Sequence, residues 1–249
     1  MSDLDRVSTG AIPASAATER QSIQQQPSLS DVARAPLDRE MRQAKDGVLR
    51  MGSMVEIQIR NALEALVAHD EAAATAVIIG DRRINDVQVE VSEVITMAIA
   101  TQGPVARDLR FLLTLDHVTY ELERMGDHAS SVAKQARKLA PLAPLKGYVD
   151  LPRLASLVAD QVRGILHALV DIDVDRARAV AAADDAIDAV YHQIFDDVVV
   201  LMRQDPENVD RGTRILFAAH YLERIGDRVT NIAEDIVFLA SGQIEDLNP

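Results

Sequence analysis

The six-residue core Leu-Glu-Arg-(Met/Ile)-Gly-Asp occurs twice, at 122–127 and again at 222–227. A chain that writes one helix twice is committed to building two similar units, and the surroundings of each copy say which kind. Around the first copy, Leu115, Val118, Leu122, Met125, Ala129, Val132, Ala136 and Leu139 step by three and four. Around the second, Ile215, Ala218, Leu222, Ile225, Val229, Ile232, Ile236 and Leu239 keep the same rhythm. That is the buried seam of a long helix in a bundle. No period-two alternation competes with it anywhere in the chain. The expected fold is all-α: two tandem three-helix bundles related by internal duplication.

The flanking sequence divides the chain accordingly. The first bundle is expected over 37–140, with helices to about His69, from Glu71 to Thr101, and beyond the break "QGP" at 102–104. Pro104 suits the first turn of that third helix. A linker with three prolines and a glycine covers 141–152. The second bundle is expected over 153–242, with helices Arg153–Val170 and Val174–Arg203 and a third beyond "QDPEN" at 204–208. "EALVAHDEAAATAV" (64–77) echoes "HALVDIDVDRARAV" (167–180), and "DRRIN" (81–85) echoes "DDAID" (184–188). Each bundle has enough residues to bury its own core. Residues 1–36, rich in Ser, Ala, Gln and Pro without apolar periodicity, read as a disordered extension, and 243–249 as a short tail.

The acids of the repeat carry the chemistry. Glu123 and Asp127, like Glu223 and Asp227, are four apart and therefore share one helical stripe, on the side away from the apolar seam. Like charges at this spacing repel by a few tenths of a kcal/mol, and Gly126 and Gly226 each cost about 1 kcal/mol against alanine inside a helix. In the second copy the stripe continues to Asn231. Asp81 and Asn85, and Asp184 and Asp188, on the middle helices, are placed to complete two clusters of oxygen donors across a groove. Such hard donors suit iron, manganese, magnesium or zinc. A solvated acidic face, balanced by Arg124 and Arg224, accounts for the same spacing, and both readings stand on the residues alone.

"LERMGDHASSVA", "LERIGDRVTNIAE" and "QGPVARDLRFLL", on a duplicated three-helix plan, resemble the PhoU family of phosphate-signalling proteins over residues 37–242. The resemblance implies a regulator that restrains phosphate uptake and phosphate-starvation signalling. It implies contacts with the ATPase subunit of the phosphate transporter and with a phosphate-sensing histidine kinase, and a homodimer. It also implies metal ions held by surface carboxylates. Matched position by position, Glu123, Asp127, Asp81 and Asn85 would hold one site. Glu223, Asp227, Asn231, Asp184 and Asp188 would hold the other. Three departures make the sites unequal: Ser131 stands where the family has Asn, Arg228 where it has His, and Tyr221 where it has an acid.

Composition narrows the alternatives. A net charge of −13 opposes binding to nucleic acid, whose affinity rests on Lys and Arg. It also opposes adsorption to an anionic membrane, which such a chain would meet only through its partners. The absence of cysteine excludes disulfides and thiolate sites, in keeping with the cytoplasm. A di-iron enzyme would need Glu-x-x-His pairs, and no Glu here has His three residues on. With no P-loop or nucleophile elbow either, no catalytic residue is expected. A plain adaptor bundle without metal is the rival reading. Of the histidines, His128 abuts the motif and is the candidate for a metal or partner contact. His69, His117, His167, His192 and His220 read as packing or surface residues.

Overall fold

The computed structural model describes residues 29–145 and 150–247, with side chains from residue 34 onward. Eight α-helices account for most of the described residues. They are α1 (Leu29–Ala68), α2 (Glu71–Gly80), α3 (Arg82–Gln102), α4 (Ala106–Leu139), α5 (Leu151–Asp171), α6 (Val174–Ala182), α7 (Asp184–Gln204) and α8 (Val209–Ser241). A 3-10 turn at Pro206–Asn208 leads into the last. The all-α duplicated plan is borne out: α1–α4 form one repeat and α5–α8 the other. The extension expected over 1–36 lies outside the described residues as far as 28, and α1 starts at Leu29, ahead of the expected 37. Residues 146–149 of the linker and 248–249 of the tail also lie outside them.

The seams of both copies are buried along their whole length. Breaks fall close to where the punctuation puts them. Gly103 ends α3 with φ +57°, the left-handed conformation glycine adopts without cost, and α4 begins two residues past Pro104 rather than at it. His69 and Ile172, at matching positions, end α1 and α5 with φ +52°. Directly after them Asp70 and Asp173 cap the next helices, accepting from Ala73 N at 2.9 Å and Arg176 N at 3.0 Å.

Each middle helix, expected to be continuous, is broken. The first divides at Asp81 and the second at Ala183, so that α3 and α7 open on Asp81 and Asp184. Aspartate competes poorly in a helix interior and suits a helix start, where the dipole favours its charge. The break therefore sits at the acids that the sequence singles out.

The two repeats pack against each other. Leu37–Pro249 is one compact unit, α4 and α8 pack along each other, and a single apolar core runs through both repeats. This is why α4 and α8 are buried on more than their seams. It also explains two of the departures. Glu121 on α4 is 2% exposed and lies 3.4 Å from Arg228 Nη1 on α8, while Tyr221 on α8 stacks on His128 of α4 at 6.0 Å between centroids. Acid–arginine and tyrosine–histidine are thus the two ends of one pseudo-symmetric contact. Nearby, His117 Nδ1 meets Asp235 Oδ2 at 2.7 Å, so this histidine bridges the repeats and is not a plain packing residue. That contact raises the His117 pKa.

Candidate metal centres

Each cluster is assembled where a helix break meets the glycine of the repeated motif. In the second repeat, an added Cβ at Gly226 would lie 2.6 Å from Asp184 Oδ1 and 3.3 Å from Gln161 Oε1. In the first, a Cβ at Gly126 would lie 3.1 Å from Ile84 Cδ1 and 3.5 Å from Asp81 Oδ1. The glycines admit the carboxylate of the broken middle helix against the long helix, most tightly in the second repeat. At Gly226 only a residue without a side chain permits that approach, while at Gly126 the contacts are close to ordinary packing.

The stripe suggested acids that face open solvent; Asp127 does so in part, at 40% exposure, but the glutamates do not. Glu123 and Glu223 keep only 17% and 18% of their side chains exposed, because α2–α3 and α6–α7 lie across them. Asp184 is 4% exposed. Burial raises the pKa of Asp81, which neighbouring Asp127 raises further and the Gln58 hydrogen bond opposes. Burial also raises Glu123, helped by Asp127 and Asp81 and opposed by Arg124. In the second cluster burial lifts Glu223 to about 7, with Asp227, Asp188 and Asp184 adding to it and Arg224 opposing. Asp184 and Asp227 are raised as well, each mainly by burial, with Asp188 adding to both. The folded chain thus brings together Asp81, Glu123 and Asp127 in one cluster and Asp184, Asp188, Glu223 and Asp227 in the other.

The remaining candidates sit at the edges. Asn85 lies on the first turn of α3, its Oδ1 buried and without a hydrogen-bond partner. Asn231 lines a cleft of about 560 Å³ with Asp227, Arg224 and the C-terminal residues Glu245 and Asp246. Ser131 Oγ donates to its own helix, to Asp127 O at 2.9 Å. His128 is packed at the α4–α8 contact, and burial with the charges of Arg228 and Arg224 lowers its pKa to about 4.

Two residues that the sequence reading passed over turn out to hold the acids. Gln58 on α1 donates to Asp81 Oδ1 at 2.8 Å and to Gly126 O at 3.2 Å. Gln161 on α5 donates to Asp184 Oδ1 at 3.2 Å and to Val180 O at 3.3 Å. Both are buried, and the shared frames "VEIQIR" (55–60) and "VADQVR" (158–163) carry them. A glutamine on an apolar seam, repeated in both units, was the signal.

What these arrangements do chemically follows from charge. Glu223 Oε2 is buried without a hydrogen-bond partner, as is Asn85 Oδ1, and both are oxygens of the candidate donor sets. Acids pushed above their ordinary range by burial and by one another are relieved by a cation or a proton. The donor chemistry therefore fits a hard or borderline metal ion. Arg124 and Arg224 currently answer part of that demand through contacts to Asp127 and Asp227. Among the described residues no group of three or more His, Cys, Asp or Glu is arranged to hold a metal ion.

The model of the PhoU domain matches this chain twice, over residues 48–136 and 151–236. A "Phosphate-specific transport system accessory protein PhoU homolog" of Clostridium acetobutylicum is 35% identical over 87% of this chain and 100% of its own length. One from Pseudomonas aeruginosa is 34% identical over 82% of this chain and 84% of its own. The crystal structure of PhoU from Pseudomonas aeruginosa superposes with a TM-score of 0.79 at 33% identity, covering 83% of this chain and 99% of that one. A second crystal structure, of the phosphate transport system regulatory protein PhoU from Streptococcus pneumoniae, also reaches 0.79, at 28% identity.

Proposed function

Because this chain belongs to the PhoU family, we propose that it is a non-enzymatic regulator of phosphate uptake and phosphate-starvation signalling that restrains both when phosphate is plentiful. It acts by protein contacts, with the ATPase subunit of the phosphate transporter and with a phosphate-sensing histidine kinase, and it works as a homodimer in the cytoplasm. Among the described residues no helix is long and apolar enough to cross a membrane. The observation that carries the reading is the doubled family domain over nearly the whole of 37–242, with an acidic cluster built at the same place in each copy.

Metal ions complete the clusters. Glu123, Asp127, Asp81 and Asn85 would hold one; Glu223, Asp227, Asp184, Asp188 and Asn231 would hold the other. Iron, zinc, manganese and magnesium are the candidates the oxygen donors allow. When bound, the cation supplies charge neutralisation, which fixes the broken middle helix against the long helix beside it. The residues of this chain do the rest. Gln58 and Gln161 orient Asp81 and Asp184, and Gly126 and Gly226 leave the space they occupy.

The function is tested by recovering the full chain with its partners from phosphate-replete cells. The transporter ATPase and a histidine kinase are expected in the complex, and deleting the gene should release the starvation response. Recovery of neither protein, with an unchanged response on deletion, contradicts the reading.

A further inference from the structure

One stripe of α1 lines the crease between α1 and the α2–α3 pair, exposed at Arg39, Arg42, Asp46, Arg50, Ile57, Asn61 and Ala68, with Met54 half-buried and Ala65 buried at its base. Arg39, Arg42, Asp46, Arg50, Met54, Ile57, Asn61, Ala65 and Ala68 succeed one another at steps of three and four. At about 1.5 Å per residue the stripe runs for about 44 Å. Two open clefts lie along it. The first, about 650 Å³, has a floor of alanines from α1 and α2, ending at Gly80, with Met54 and the 47% exposed Ile57 on its wall. The second, about 450 Å³, is lined by Arg39, Arg42 and Arg50 with Asp46 and Glu90, and opens against Val91 and Val94. Arg50 Nη2 is held by Glu90 Oε2 at 2.6 Å. Arg39 and Arg42 have no carboxylate partner among the described residues.

The seam is therefore mostly apolar along one half, with Glu64, Asp70 and Arg83 among its lining residues, and at the other end carries three arginines against Asp46 and Glu90, in a chain whose net charge is −13. Small side chains on the floor of a groove admit another backbone closely. A helix laid in such a groove reads it through residues at i, i+3, i+4 and i+7. We propose that this seam is the docking groove for a helical segment of a partner protein, apolar on one stripe and acidic at one end, with the acidic end over Arg39 and Arg42. Glu64 and Asp70, at the apolar end, disfavour an anionic lipid surface as the occupant. The inference rests on the reading that the chain works through protein contacts. It adds a link to the first acidic cluster, because Gln58 both lines the apolar cleft and donates to Asp81.

A benzophenone amino acid placed at position 42 or at position 57 of the full chain, and irradiated in phosphate-replete cells, tests this. Both positions should capture one segment of one partner, with position 57 on its apolar residues and position 42 within about a turn of its Asp or Glu residues. Arg39→Glu with Arg42→Glu, and separately the groove-filling Ala76→Trp, should cut the yield from position 57 about tenfold at an unchanged melting temperature. Capture of a second copy of this chain, of lipid, or of unrelated segments at the two positions overturns the proposal. So does a yield no greater than from the exposed position of Asp196. If gene deletion leaves the starvation response unchanged, the regulatory reading fails. If deletion releases the response but the groove variants restrain it as the native chain does, the groove alone fails.

Discussion

The two acidic clusters are built from the same parts and differ in how much negative charge they hold away from water. The first has Asp81, Glu123 and Asp127, with the neutral Asn85 beside them, and Asp81 is only half-buried. The second replaces that amide with Asp188, buries Asp184 to 4% exposure and extends its stripe to Asn231. The outcome is visible at the equivalent glutamates: both are raised, but only Glu223 is driven as far as about 7. One amide-to-carboxylate exchange and a tighter glycine contact accompany the higher pKa of the second cluster's glutamate.

The largest effect on stability should appear in the pH dependence of the metal-free protein. Glu223 has a folded pKa of about 7 against an ordinary 4.5. The folded state then holds that proton more tightly than the unfolded chain does. Stability contributed by the protonated group is present below about 4.5 and is lost as pH rises through about 7, up to about 3 kcal/mol. Asp184 and Asp227 are also raised and act in the same direction. Urea unfolding of Glu223→Gln from pH 4.5 to 8 should show a much flatter profile. Glu123→Gln should change the slope in the same sense and by less; an equal change would erase the contrast between the clusters.

A smaller difference should separate the glycines. Alanine gains about 1 kcal/mol of helix propensity at either position. At Gly226 that gain is outweighed, because the new Cβ displaces Asp184 from Gln161 and strains a buried acid, for a net loss of about 1–2 kcal/mol. At Gly126 the contacts of 3.1 and 3.5 Å ask for little movement, so Gly126→Ala should be near neutral. Denaturant midpoints of the two variants compare them directly.

The glutamines should reverse the order. Gln58 reaches its acid at 2.8 Å, and Gln161 does so at 3.2 Å. Gln58→Leu should therefore cost more than Gln161→Leu, by about 1 kcal/mol or less. Equal losses in the two variants would show that these hydrogen bonds do not distinguish the repeats.

Much of this was legible in the residues. Leu122, Met125 and Ala129, with their counterparts Leu222, Ile225 and Val229, carry a strict three–four period because a bundle core leaves no other solution. The doubled acids stood out for the same reason that they are costly. What the sequence could not show was tertiary in origin. A helix break at Asp81 or Ala183 is decided by a few backbone hydrogen bonds, and an alanine-rich stretch conceals it. The merging of two bundles along α4 and α8 depends on faces beyond the seams. The exchange of Glu121 and His128 for Tyr221 and Arg228 looked like variation around two metal sites. It becomes intelligible once position 121 is known to face 228 and position 221 to face 128. Gln58 and Gln161 were visible as polar residues on apolar seams, but their role needed the acids beside them.

The most direct test of unequal cation sites is a manganese titration by calorimetry at pH 7.5, comparing the native chain with Glu123→Ala/Asp127→Ala and Glu223→Ala/Asp227→Ala. The account predicts two classes of site in the native chain. The tighter should be lost from the second variant, about a thousandfold or about 4 kcal/mol weaker, and kept in the first. Two equal sites, or heat that survives in both variants unchanged, would contradict it.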